Sequence, residues 1–178
     1  MSRARSTGAD TSFRSDSMAS HHSAPVSSLT RELLAEQDTA TFGNALSAIL
    51  HAGMTVWLRG ELGAGKTTLV RAILRGMGVT GPIKSPTYTL VEPYNISSLY
   101  LYHFDFYRLK SHDEWVDAGF RDYFSGDALC LVEWPEKAGP ELPHADLDLQ
   151  LVIAGSGRTL MLNANTEAGR NCLRRLQT

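Results

Sequence analysis

Only two cysteines, Cys130 and Cys172, occur among 178 residues. No CxxC or paired His/Cys spacing accompanies either, so a zinc site held by thiolates is not expected. Cys130 sits in the apolar run Ala128-Leu129-Cys130-Leu131-Val132 and reads as a small core hydrophobe. Long apolar runs are missing too. None approaches the roughly 20 residues that a membrane-spanning helix needs. No charged start, apolar stretch and small-residue cleavage site marks a secretory leader. Charge of one sign is also lacking: Lys plus Arg number 17, Asp plus Glu 19, and the net charge is -2. That balance argues against a strongly basic nucleic-acid surface, though not against a local patch. No internal repeat is present. What remains is an ordinary soluble composition, 43% hydrophobic and 20% charged, long enough for one domain with a core. A cytoplasmic protein is expected.

Residues 1–28 are rich in Ser, Ala, Arg and Thr and poor in apolar residues. They bury too little to offset the entropy of ordering, so a disordered tail is expected, with the folded domain at 29–178. Arg3, Arg5 and Arg14 among serines faintly resemble a transit peptide, against which Asp10 and Asp16 speak. Asp38 is a candidate N-cap for a helix with Phe42, Leu46, Ile49 and Leu50 on one face, closed by Gly53. A short β-prone run at 54–58 follows. After it come a helix carrying Leu69, Val70, Ile73 and Leu74, and a hairpin with strands at 88–94 and 99–105 about a polar turn. Ser111 and Glu114 fit a capping box. Strands are expected at 128–132, 147–153 and 159–163, with Thr166 capping a last helix. The alternation predicts a single α/β, P-loop NTPase-like domain. Its central sheet is expected to be mostly parallel with an antiparallel hairpin, flanked by helices.

The chemistry lies between the strand at 54–58 and its following helix. Gly60-Glu61-Leu62-Gly63-Ala64-Gly65-Lys66-Thr67 satisfies the phosphate-loop pattern GxxxxGK[ST], followed by Thr68. Glycines allow the backbone to wrap phosphate oxygens closely. Backbone N–H groups from Gly63 to Thr67 and the positive helix start face the phosphates. Lys66 supplies a mobile charge, and the Thr67 hydroxyl can ligate Mg²⁺. Such a loop needs carboxylates to hold the cation or orient an attacking water. Two acids end hydrophobic strands: Asp105 after Leu99-Tyr100-Leu101-Tyr102-His103-Phe104, and Glu133 after the run at 128–132. Their division of labour stays open. Thr87, in Lys84-Ser85-Pro86-Thr87-Tyr88, occupies the interval where phosphate-loop switches place a γ-phosphate sensor. A Pro-containing turn leading into a strand is the competing reading. Locally, His103 reads as a strand histidine with a satisfied hydrogen bond, Arg108 as a surface ion-pair partner and Trp134 as packing at a sheet edge.

Four motifs in order resemble the TsaE (YjeE) family, bacterial ATPases of the threonylcarbamoyladenosine modification of tRNA. They are Leu62-Gly63-Ala64-Gly65-Lys66-Thr67-Thr68, Lys84-Ser85-Pro86-Thr87-Tyr88-Thr89-Leu90-Val91, Tyr102-His103-Phe104-Asp105-Phe106-Tyr107-Arg108-Leu109 and Leu131-Val132-Glu133-Trp134. The similarity runs from about Leu33 to Arg158 and leaves the tail without a counterpart. The resemblance implies ATP and Mg²⁺ as cofactors, with Lys66 and Thr67 at the phosphates and metal. It implies Asp105 as the Walker B-like acid and Glu133 as a second acid at the metal. Ser85 to Tyr88 would form a switch-like loop, with Trp134 close to the nucleotide and Thr39 near its base. The implied partner is a TsaB–TsaD heterodimer, which reaches the tRNA and carries out the transfer itself. Because no arginine follows the phosphate loop where a cis-acting finger is expected, hydrolysis by the chain alone is expected to be slow.

Two other functions compete: a small-molecule kinase, and a nucleotide-dependent binding switch with negligible catalysis. The kinase reading lacks an arginine-rich lid, since the stretch 111–126 carries only Arg121.

Overall fold

A computed structural model describes residues 27–177, so the expected tail lies almost wholly outside the described residues. Thirteen elements follow one another: β1 (Ser28–Leu33), α1 (Glu36–Ser47), β2 (Thr55–Arg59), α2 (Lys66–Gly76), β3 (Val91–Ile96), β4 (Leu99–Asp105), α3 (Glu114–Asp117), a 3-10 turn at Phe120–Phe124, β5 (Ala128–Glu133), a 3-10 turn at Pro135–Lys137, β6 (Leu147–Ala154), β7 (Gly157–Ala164) and α4 (Glu167–Leu176). The strands form one sheet in the order β1-β7-β6-β2-β5-β4-β3. Its central four strands, β6-β2-β5-β4, are parallel, and antiparallel strands extend both sides. The sheet is therefore more evenly mixed than expected, because the chain adds a hairpin strand at one end and two antiparallel strands at the other.

Several local expectations need correction. Strand β1, where the sequence suggested no element, pairs with β7 from Ser28↔Asn163 to Leu33↔Arg158. Its sequence signal is weak because an edge strand buries little, here only Leu29 and Leu33. Helix α1 starts at Glu36 with Ala35 as N-cap. Asp38 sits one turn inside, and its Oδ2 accepts from the N–H groups of Leu34 at 2.8 Å and Ala35 at 2.9 Å. The carboxylate thus reaches back as the acidic half of a capping box. The helix ends at Ser47, yet Ile49 and Leu50 remain buried in the turn beyond it. In the hairpin, β3 starts only at Val91, because Leu90 adopts φ 64 and breaks the extended run. Ser111 caps nothing; α3 starts after Asp113, and the Glu114 carboxylate accepts from the Lys110 N–H at 2.9 Å. Thr166 does cap α4, accepting from the Gly169 N–H at 3.2 Å.

Two apolar clusters position the site. One is largely aliphatic and joins α1 and α2 to the sheet through Leu46, Leu58, Leu69, Ile73, Leu149 and Leu160. Each such side chain contributes roughly 1.5–3 kcal/mol by leaving water. The other is aromatic, with Phe104, Phe106 and Trp115 fully buried and Phe120, Tyr123 and Phe124 packed against them. Every residue of β5 is buried, as a strand covered on both faces requires. Cys130 is among them, and burial pushes its thiol up to about 12. No helix among the described residues is long and apolar enough to cross a membrane.

Candidate functional site

Strands β2, β4 and β5 run parallel, so their C-terminal ends open on the same edge of the sheet. Ligand sites of parallel sheets lie at that edge. β2 delivers the phosphate loop there, β4 delivers Asp105, and β5 delivers Glu133. The two acids face each other in register, and Glu133 is also opposite Leu58 of β2. Both are almost fully buried, at 3% and 2% exposure. A cleft of about 480 Å³ opens above them, lined by Lys66, Thr67, Thr87, Asp105, Glu133 and Trp134 among others.

The loop's geometry follows from its glycines. Gly60 has φ 135, and a Cβ there would stand 2.4 Å from the Leu151 carbonyl oxygen. Gly65, at φ 103, is the N-cap of α2 and turns the following N–H groups toward the cleft. Lys66 Nζ donates to the carbonyls of Gly60 at 2.7 Å and Glu61 at 2.9 Å, and lies 3.9 Å from the centre of the Trp134 ring. Burial pushes this ammonium below its ordinary range, against the opposing pull of Glu133, Asp105 and Glu136. Its charge is therefore held over the cleft, inside the loop that it would serve. Trp134 reaches that position by adopting φ 58 and ψ 47, a left-handed conformation that costs a non-glycine residue roughly 1–2 kcal/mol. Trp134 also packs against the aromatic cluster, with its ring centre 5.1 Å from that of Tyr107.

The acids have different partners. Glu133 Oε2 accepts from the Thr67 hydroxyl at 3.0 Å, and Oε1 lies 2.9 Å from His103 Nε2. Asp105 Oδ2 accepts from Ser85 at 2.9 Å and Thr87 at 2.6 Å, and Oδ1 accepts from the Tyr107 N–H at 3.0 Å. No cluster of three or more His, Cys, Asp or Glu suited to a metal occurs among the described residues. Mg²⁺ is generally held through one or two carboxylates plus substrate phosphates and water. The Thr67 hydroxyl and the Glu133 and Asp105 carboxylates supply hard oxygens of the right kind.

The family model described as "Threonylcarbamoyl adenosine biosynthesis protein TsaE" matches residues 33–164. The chain belongs to the TsaE family. A Haemophilus influenzae relative named "tRNA threonylcarbamoyladenosine biosynthesis protein TsaE" is 43% identical over 153 residues, 83% of this chain and 97% of the relative. A Bacillus subtilis protein of the same name is 38% identical over 119 residues, 67% of this chain and 74% of the relative. Among solved structures, one titled "Crystal structure of Bacillus subtilus YdiB" superimposes with TM-score 0.70 at 28% identity, covering 87% of this chain and 97% of the other.

The structure gathers Lys66, Thr67, Thr87, Asp105, Glu133 and Trp134 around one cleft. Leu62, Gly63, Gly65 and Thr68 line it as well, and Leu62 is largely exposed at its mouth. Gly60 and Glu61 contribute carbonyls to Lys66, while Ala64 is buried beneath the loop. Thr39 stands apart. It lines a second recess of about 290 Å³ that shares Gly65 and Thr68 with the first. A third recess, of about 500 Å³, lies against Gly60, Glu61 and Leu62 and shares Tyr107 and Trp134 with the first.

Sequence reasoning missed Arg158. From the start of β7 its Nε donates to the Ala64 carbonyl at 2.9 Å, and another nitrogen reaches Gly63 O at 3.3 Å. It lines the recess with Thr39. Lys66 and Arg158 thus hold four carbonyls of the phosphate loop between them. The only sequence signal was an arginine after Gly155-Ser156-Gly157, far from any motif. Arg108 makes no ion pair among the described residues; its guanidinium lies 4.5 Å from the centre of the exposed Tyr88 ring.

Proposed function

We propose that this chain binds ATP with Mg²⁺ and hydrolyses it in support of the threonylcarbamoyladenosine modification of tRNA. The carrying observation is convergence: Lys66, Thr67, Asp105 and Glu133 come from three parallel strand ends to one cleft. The phosphates lie in the cleft against Lys66 and the α2 N-terminus, and the nucleoside extends toward the recess of Thr39. Mg²⁺ bound with the phosphates would be held by Thr67 and the acids and would neutralise their charge. Asp105 and Glu133 are then available to orient a water for attack at the terminal phosphate. The chain does not transfer the threonylcarbamoyl group. Its partner is a TsaB–TsaD-type heterodimer, through which tRNA is reached. Hydrolysis by the isolated chain is slow, because Arg158 faces loop carbonyls and Arg108 lies over Tyr88, leaving transition-state charge poorly stabilised.

The test is steady-state phosphate release by the isolated chain and by the chain with a TsaB–TsaD heterodimer, with Lys66→Ala as background. Slow release that the partner stimulates is expected. If the partner changes neither rate nor nucleotide affinity, the coupling is wrong; if calorimetry shows no ATP binding, the whole reading is wrong. A nucleotide switch with negligible catalysis draws support from the hold of Ser85 and Thr87 on Asp105. It predicts negligible release under both conditions.

A further inference from the structure

His103 is fully buried on β4, two residues before Asp105 and so on the same face of the strand. It lines neither the cleft nor the recess. Its Nε2 lies 2.9 Å from Glu133 Oε1, while Nδ1 is buried without a hydrogen-bond partner among the described residues. A carboxylate only accepts, so Nε2 carries a proton and donates this bond. The other tautomer would set lone pairs against each other across 2.9 Å and strand a buried N–H. With Nδ1 unbonded, the contact with Glu133 is the polar interaction that accounts for this buried histidine.

That bond acts on an otherwise loose torsion. The terminal torsion of a glutamate is broad and roughly two-fold, so either oxygen could turn toward the cleft. With Oε1 held by His103, Oε2 is left facing the Thr67 hydroxyl at 3.0 Å. Outer partners that orient a ligating carboxylate tune a metal site in this way. We propose that His103 is a positioning residue that fixes the Glu133 carboxylate toward Thr67 and so sets the divalent-cation dependence of nucleotide binding. The proposal rests on the Mg²⁺–ATP reading above.

The experiment is calorimetric titration of the full chain with a non-hydrolysable ATP analogue, once in excess Mg²⁺ and once in EDTA. If the wild-type chain binds nothing, or binds equally in both, the Mg²⁺–ATP reading itself falls, whatever the variants do. Given a Mg²⁺-dependent gain, three substitutions decide the role of His103. His103→Gln places an amide N–H where Nε2 lies and keeps the gain within about threefold. His103→Asn places its amide near Nδ1, and His103→Leu has no donor; both lose about tenfold of the gain. Affinity in EDTA changes by less than about twofold in all three. Equal losses in Mg²⁺ and EDTA would overturn the proposal, as would a full gain in the asparagine variant. If the leucine variant does not fold, the glutamine–asparagine pair carries the comparison alone. Nitrogen chemical shifts of the wild-type ring give a mutation-free check. A protonated Nε2 is expected, and a protonated Nδ1 with bare Nε2 would sink the idea.

Discussion

The two walls of the cleft are built differently. The phosphate-loop wall rises from β2 and α2, above the aliphatic cluster, and its carbonyls are held by Lys66 and Arg158. The facing wall is the stretch 83–90 with Asp105, Tyr107 and Arg108. There the contacts are short side-chain hydroxyls on one carboxylate oxygen, a left-handed Leu90, and Tyr88 at 83% exposure. One wall is braced by main chain packed on a core. The other is tied through bonds that a competing ligand of Asp105 would break. A grip on phosphate can be preformed, whereas a response to phosphate needs a surface whose contacts can be exchanged.

The largest effect is expected on the exchangeable wall. Asp105→Ala should lower turnover by about 100- to 1,000-fold, the scale of losing one preorganised electrostatic group, while nucleotide affinity stays within a few-fold. Phosphate-release assays and calorimetry separate the two quantities. Equal losses in both would erase the distinction between the walls. On the braced wall, Lys66→Ala should weaken ATP binding by about 10- to 100-fold, since a charge-assisted contact is lost. Titration of ATP reads this directly, and unchanged affinity would remove the phosphate loop from the site.

Arg158→Ala should weaken ATP binding by a smaller factor, about fivefold, by freeing the Gly63 and Ala64 carbonyls of the phosphate loop. Arg158→Lys should recover little, because a single ammonium does not reproduce the guanidinium fork. Full recovery by lysine would mean that only charge matters there. The smallest effect belongs to the exposed stack on the loose wall. Arg108→Ala removes a surface cation–π contact worth about 0.5–1 kcal/mol, so melting temperature and affinity should barely move. A loss in affinity as large as that of Lys66→Ala would place Arg108 at the phosphates instead.

How far the sequence reached differs between the same two walls. The phosphate loop was legible because its chemistry is local: the glycines, Lys66 and Thr67 lie within eight consecutive residues, and the backbone of a strand–turn–helix unit brings them together. Asp105 and Glu133 were legible as candidates because each ends a hydrophobic strand. The periodic apolar positions of α2 likewise marked the aliphatic core. The facing wall was harder: Leu90 breaks the expected strand through a positive φ that its identity does not announce.

Other features depended on pairings distant in sequence. β1 meets β7 only because the chain returns after more than a hundred residues, and Arg158 reaches the phosphate loop from that same strand. His103 read as an ordinary strand histidine until the parallel register of β4 and β5 set it beside Glu133. The aromatic cluster behind the acids is assembled from short helical turns with no repeating period. By itself the sequence determined which residues carry charge, which backbone can wrap a phosphate and which strands are buried, since these follow from side-chain chemistry and local periodicity. Only the tertiary structure decided which oxygen of Glu133 faces Thr67, what holds Asp105, and which arginine lies behind the phosphate loop. Those depend on angstrom-scale distances between strands that the chain joins by long connections, and no local rule encodes them.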